Sequence, residues 1–310
     1  MVISRIKHAL KFTFALIFVF ALFSTAISCV TVKNDNGKSL VVAANFPSYD
    51  FARHVCGDAA DVKMLLPAGS ESHSYEPTAR DIIDVQNCDL FIYTGAESDV
   101  WIDKILNSLD NRVNTLKMTD CVQLLPIGGH EHDDVEFDEH VWTSPVNALR
   151  IIDCIKDKMC ITDEKNASVY TRNADEYKSE ITVLDSEFRD FFSKITNKTM
   201  VFGDRFPLIY FTHEYGISYA AAFPGCADHS EPSAATIADI IKKIDSENIS
   251  TVYYIEFSDK KIANTLAEST GAKTALFYTC HNVSKEQFDK GETYVSLMRE
   301  NLETLKATMS

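Results

Sequence analysis

The sequence predicts an α/β protein of two similar lobes, each a parallel sheet flanked by helices, joined by one long connector helix. Three observations carry that expectation. From Ser39 to Leu109, short apolar runs alternate with amphipathic stretches, the strand–helix–strand rhythm of a parallel sheet covered on both faces. The same rhythm resumes at Lys198 and runs almost to the end of the chain. Between the two lies a polar run, Asp163 to about Phe192, that contains neither Pro nor Gly.

The first lobe opens with the buried strand Ser39–Phe46. Pro47-Ser48 starts a helix that Gly57 stops. Val62–Leu66 is a second strand, followed by a long polar loop that carries His73. A helix begins at Pro77, Asp89–Thr94 is the third strand, and Trp101, Ile102, Ile105, Leu106 and Leu109 repeat at helical spacing. Ser144 to about Met159 is a further amphipathic helix. In the polar run, Val169, Ala174, Tyr177, Ile181, Leu184 and Phe188 make a narrow apolar stripe, which predicts a rigid helix of roughly 45 Å. The second lobe reads as strands at Lys198–Phe202, Ile217–Phe223, Thr251–Glu256 and Lys273–Tyr278. Its helices lie at Phe206–Tyr215, Pro232–Glu247, Asp259–Thr270 and about Thr293–Lys306. The domain boundaries follow: 39–160 the first lobe, 161–196 the connector, 197–310 the second lobe.

The first residues read as targeting signal. Arg5, Lys7 and Lys11 precede an apolar core from Phe12 to Phe23, and small residues lead to Cys29. Residues 1–28 are therefore expected to be a signal peptide, Cys29 a lipidated first residue, and 29–38 a linker from a lipid anchor. Removing 1–28 removes three bases and no acid, so the formal charge falls from −15 to −18. Such a surface disfavours nucleic acid and anionic lipid and suits cations. Seven cysteines remain beyond Cys29, with no Cys-x-x-Cys pair. Cys226 and Cys280 each follow a strand of the second lobe and are the expected disulfide.

The chemistry concentrates in GGHEHDDVEFDEHVWTSP, residues 128–145. It holds His130, His132 and His140 among six acids. Neutral imidazole is the usual protein ligand for zinc-like metals, supplemented by carboxylates. His130 and His132 lie in an acidic loop, which is as often merely solvated. His140 is followed at once by Val141 and Trp142, a packed context. Ligands of parallel α/β sheets sit beyond the carboxyl ends of the strands. His73, Asp204 and His281 occupy such positions, and His140 an equivalent edge, so all four converge if the lobes face one another. His54 and His213 read as ordinary helix residues, and His229 as a loop residue. Glu231 and Ser233 read as helix caps, and Glu256 as a partner supporting a ligand histidine.

Residues 39–306 resemble the zinc/manganese solute-binding proteins of bacterial ABC importers, the cluster with a rigid inter-lobe helix. The matching pieces are FPSYDFA, PAGSESHSYEPTARDI, DLFIYTGAESDVWIDK, DEHVWTSP, EPSAATI and YVSLMRENLETL. The resemblance implies that His73 and His140 are metal ligands and that His130 and His132 belong to an accessory acidic loop. The second lobe departs from the family pattern. A His-x-x-Phe commonly follows its first strand, where this chain has FGDRFP with Asp204. The last ligand is often Asp, where this chain has TCHNVS with His281. Carboxylate and imidazole thus look exchanged. Three imidazoles and one carboxylate suit tetrahedral Zn2+ better than Mn2+, which prefers more oxygen ligands. The implied function is extracytoplasmic capture of zinc by a monomeric lipoprotein, held to the membrane through lipid at Cys29, for an ABC importer permease. It is not an enzyme. The competing readings are a secreted zinc-dependent hydrolase and a metal-binding adhesin lipoprotein.

Overall fold

A computed structural model describes residues 36–71, 75–95, 100–109, 113–127, 136–223 and 232–309. The strands β1 (Ser39–Ala43), β2 (Ala60–Met64), β3 (Leu90–Tyr93) and β4 (Thr115–Lys117) form one sheet in the order β2-β1-β3-β4. A second sheet holds β5 (Thr199–Phe202), β6 (Ser218–Ala221), β7 (Thr251–Tyr254) and β8 (Lys273–Leu276) in the order β6-β5-β7-β8. Every pairing is parallel, and the two sheets repeat one topology. β4 was not foreseen. It is three residues long with a single buried side chain, Leu116, too short to show a period.

The helices are α1 (Phe46–Cys56), α2 (Ala79–Asn87), α3 (Val100–Ser108), α4 (Pro145–Thr162), α5 (Ala167–Lys194), α6 (Ile209–Tyr215), α7 (Ala234–Glu247), α8 (Lys261–Thr270), α9 (Lys285–Asp289) and α10 (Tyr294–Thr308). Their starts are set by caps rather than by the nearest Pro. Asn45 and Ser48 form a reciprocal capping box, so α1 begins one residue before Pro47. Thr78 and Asp81 do the same for α2, which therefore begins two residues after Pro77. Ser233 caps α7 by accepting from Thr236 N at 3.0 Å, the role read from the sequence. α9, five residues long, was also unforeseen.

Alternation along the strands builds three cores. Val41, Leu90, Ile92, Met200, Phe202 and Tyr253 face one shared core, while Val42 and Phe91 point to a second cluster and Val201 and Val252 to a third. The shared core takes residues from both sheets, so residues 37–310 form one compact unit rather than two halves on a hinge. The long helix lies within it. Tyr170, Ala174, Tyr177, Ile181, Leu184, Phe188 and Phe192 are buried, and α5 packs on α1, α4 and α10. The stripe begins at Tyr170, not Val169; Tyr170 is buried and its Oη donates to Asp163 Oδ2 at 2.6 Å. At about 1.5 Å per residue its 28 residues span about 42 Å.

One buried carboxylate fastens this arrangement. Asp50 on α1 accepts from Tyr177 Oη of α5 (2.5 Å), from Tyr294 N at the start of α10 (3.0 Å) and from Arg53 Nε (2.9 Å). A carboxylate at a helix amino terminus also meets the positive end of its dipole. His54, expected to be exposed, is half-buried here: its ring stacks on Tyr177 at 3.7 Å. His213 is exposed. Cys56, Cys88, Cys121, Cys154, Cys160 and Cys280 are free thiols. Cys280, one half of the expected Cys226–Cys280 disulfide, is a free thiol buried in the shared core; Cys226 lies outside the described residues.

Candidate metal centre

His140 is fixed by its own neighbours. Asp138 Oδ1 accepts its backbone N–H at 2.9 Å, and Asp138 Oδ2 lies 3.3 Å from Nδ1. That contact assigns Nδ1 to the carboxylate and leaves Nε2 as the coordinating nitrogen, the support that metal-binding histidines usually have. A single 3-10 turn follows, Val141–Thr143, with Thr143 Oγ1 donating to His140 O at 2.8 Å. Ser144 then caps α4, with Pro145 in its first turn. The ring is 3% exposed. Pro126 pairs antiparallel with Phe137; residues 128–135, with His130 and His132, lie outside the described residues.

His281 is held differently. It sits past the end of β8, where the backbone reaches φ +60° at Cys280, a conformation that costs a side-chain-bearing residue roughly 1–2 kcal/mol. Glu256, just beyond β7, makes up for it. Its carboxylate accepts from Thr279 N (2.8 Å), Thr279 Oγ1 (2.5 Å) and His281 N (3.1 Å). Burial pushes this carboxyl above the usual range, against those hydrogen bonds. Glu256, read from the sequence as a partner of a ligand histidine, accepts from the backbone of His281. Asn301 of α10 locks the same stretch by donating to Tyr278 O and accepting from Tyr278 N, both at 2.7 Å.

The two segments meet. The ring centroids of His140 and His281 are 5.5 Å apart and nearly perpendicular, and Trp142 lies 5.4 and 5.3 Å from them. Two imidazoles on one tetrahedral ion would have centroids about 5 Å apart, given Zn–N of ~2.0–2.1 Å. Trp142 Nε1 donates to Thr279 O at 2.9 Å and Tyr210 Oη to Asp138 O at 2.7 Å, so each lobe grips the other's ligand segment.

Asp204 follows β5 and is 8% exposed. Its Oδ1 accepts from Arg205 N at 2.8 Å and Oδ2 from Ile255 N at 3.4 Å, which places it beside the carboxyl end of β7. Gly203 before it has no room for a Cβ, which would stand 2.4 Å from Ala263 Cα. His73 lies outside the described residues, as do Cys29, His229 and Glu231. The segment leading to His73 is well placed: Asn282 Nδ2 donates to Pro67 O (2.9 Å) and Ser70 O (2.8 Å), and Gly69 N to Val283 O (2.7 Å). Arg205 pairs with Glu71 at 3.3 Å across a small pocket that His281, Glu256 and Phe257 also line. Among the described residues no three His, Cys, Asp or Glu side chains stand as a closed ligand group. Sequence reasoning missed Asp138 and Asn282. The Asp-x-His spacing was the signal for the first; nothing local marked the second.

Comparison with known proteins gives a consistent answer. The chain is 32% identical over 292 residues to the zinc-binding lipoprotein AdcA of Streptococcus pneumoniae, covering 91% of this chain but 58% of AdcA. It is 32% identical over 284 residues to the high-affinity zinc uptake system protein ZnuA of Bacillus subtilis, covering 87% of each. The crystal structure of the Zn(II)-bound ZnuA-like domain of S. pneumoniae AdcA superposes with a TM-score of 0.75 at 33% identity, over 88% of this chain and 99% of that one. A family model, zinc-uptake complex component A, periplasmic, matches residues 41–308. With both lobes, the long helix and the histidine-bearing edges inside that match, the chain belongs to the ZnuA family.

Proposed function

We propose that this protein captures a divalent transition metal, zinc before manganese, outside the cytoplasm and delivers it to the permease of an ABC importer. The observation that carries this reading is the meeting of His140 and His281, donated by opposite lobes, with Nδ1 of His140 already committed to Asp138. His73 is the third imidazole and Asp204 the second-lobe carboxylate, with Glu256 supporting the His281 turn. His130 and His132 serve as an accessory loop that collects metal at low concentration. Cys29 carries the lipid that holds the monomer at the membrane. Among the described residues no helix is long and apolar enough to cross a membrane.

The fold argues for little motion between lobes. A shared core and the Asp50 junction would both have to break in a wide hinge opening. Metal release then depends on local movement of the ligand segments. An enzymatic role is not part of this reading, because Asp138 and Glu256 are both engaged in holding the histidine segments. The test is metal content and competition titration of the purified protein against His140→Ala and His281→Ala. One zinc per chain in the wild type, lost in both variants, is expected. Equal binding in all three would overturn the reading.

A further inference from the structure

Glu139 is the side chain for which the metal centre as read so far has no use. It is 5% exposed, beside Asp138 at 3% and His140 at 3%. Its Oε1 lies 3.8 Å from Nε2 of His140, the nitrogen that faces the metal once Asp138 has taken Nδ1. That separation is too long for a hydrogen bond. It is close to another distance. Two ligands each ~2.0–2.1 Å from one tetrahedral ion stand about 3.4 Å apart. A small side-chain rotation closes the difference.

We infer that Glu139 is a direct metal ligand, supplying a carboxylate oxygen from the first lobe to the same zinc ion that His140 binds. The inference rests on the proposed metal capture and deepens it. With Glu139 coordinating, the first lobe offers an adjacent carboxylate–imidazole pair, and Asp204 adjusts the site from the second lobe instead of closing it alone. A carboxylate ligand also adds negative charge, which favours a dication over a monovalent ion.

The experiment is competition titration with zinc and cobalt(II) absorption spectroscopy on the purified protein, comparing wild type, Glu139→Gln, Glu139→Asp and Asp204→Asn. Melting of the metal-free forms is followed alongside. Glu139→Gln is expected to weaken zinc binding by at least ~10-fold, the lower end of what even a supporting partner of a metal site contributes. It should also shift the cobalt d–d bands while leaving metal-free melting near wild type. Glu139→Asp keeps the charge but withdraws the oxygen by one methylene, so it should show the same spectral shift if Glu139→Gln proves unstable. Wild-type affinity and an unchanged cobalt spectrum in the Glu139 variants would overturn the assignment while leaving metal capture standing. So would an unchanged spectrum with lowered metal-free melting. A wild type that binds neither metal overturns capture and this assignment together.

Discussion

The two histidine segments solve one problem in opposite ways. On the first lobe the ring itself is oriented: Asp138 reaches Nδ1, and the residue is buried against Trp142. On the second lobe the backbone is oriented: Glu256 collects Thr279 and His281 N–H groups across a left-handed residue, and the His281 ring is half-buried with Trp142 as its neighbour. A ring fixed through its own nitrogen is pre-organised for metal whatever the other lobe does. The His281 ring is the more exposed of the two, half-buried where His140 is buried. The difference predicts that metal affinity is more sensitive to the first lobe's histidine than to the second's.

Removing the oriented ring should hurt most. His140→Ala is expected to cost zinc affinity more than the ~10–100-fold typical of supporting residues, and more than His281→Ala in the same competition titration. A larger loss in His281→Ala would reverse the ranking of the lobes. Next comes Asp138→Asn, which keeps the shape but weakens the hold on Nδ1. A loss of ~10–100-fold in affinity is expected, with little change in metal-free melting. Glu256→Gln should show the converse. It retains one acceptor oxygen for three donors, so folding stability drops by about 1–3 kcal/mol in denaturant titration while affinity changes less than in Asp138→Asn.

The smallest effect is a separation in pH. Coordinating imidazoles must be unprotonated, so binding should fall away below about pH 6. The fold should outlast it. Burial pushes the Asp81 carboxyl up, but hydrogen bonds from Thr78 and Tyr75, with Lys63 nearby, outweigh burial and leave it below the usual range. A lowered carboxylate contributes stability that is complete above its unfolded value of ~3.9 and is lost as pH falls through the folded one. Near pH 5 the protein should therefore be folded and metal-free, measurable as native circular dichroism without bound zinc. Simultaneous loss of both signals would show that metal holds the lobes together.

Particular elements show how far the sequence reached. The strand cores at Ser39–Ala43 and Thr199–Phe202 were legible because apolar runs of that length between helix signals leave few alternatives. The long helix was legible from its stripe and from the absence of Pro and Gly. β4 and α9 were not, since three and five residues are shorter than any period that could reveal them. Helix starts at α1 and α2 shifted because Asn45 and Thr78 cap them and Pro only tolerates the first turn. In the candidate centre, His140 and His281 could be singled out as candidates from strand ends and motif. The hold of Asn282 on Pro67 and Ser70 could not, because its partners lie more than 200 residues away.

What the sequence determined by itself is periodic or local: the repeated α/β rhythm and the connector helix. Hydrophobic spacing and capping act over a few residues, so they can be read along the chain. Tertiary structure alone decided that the two lobes share one core through α5 and Asp50, that His140 and His281 come within 5.5 Å, and which carboxylate supports each. Those outcomes depend on which buried groups meet across long stretches of chain, and spacing along the sequence carries no record of that.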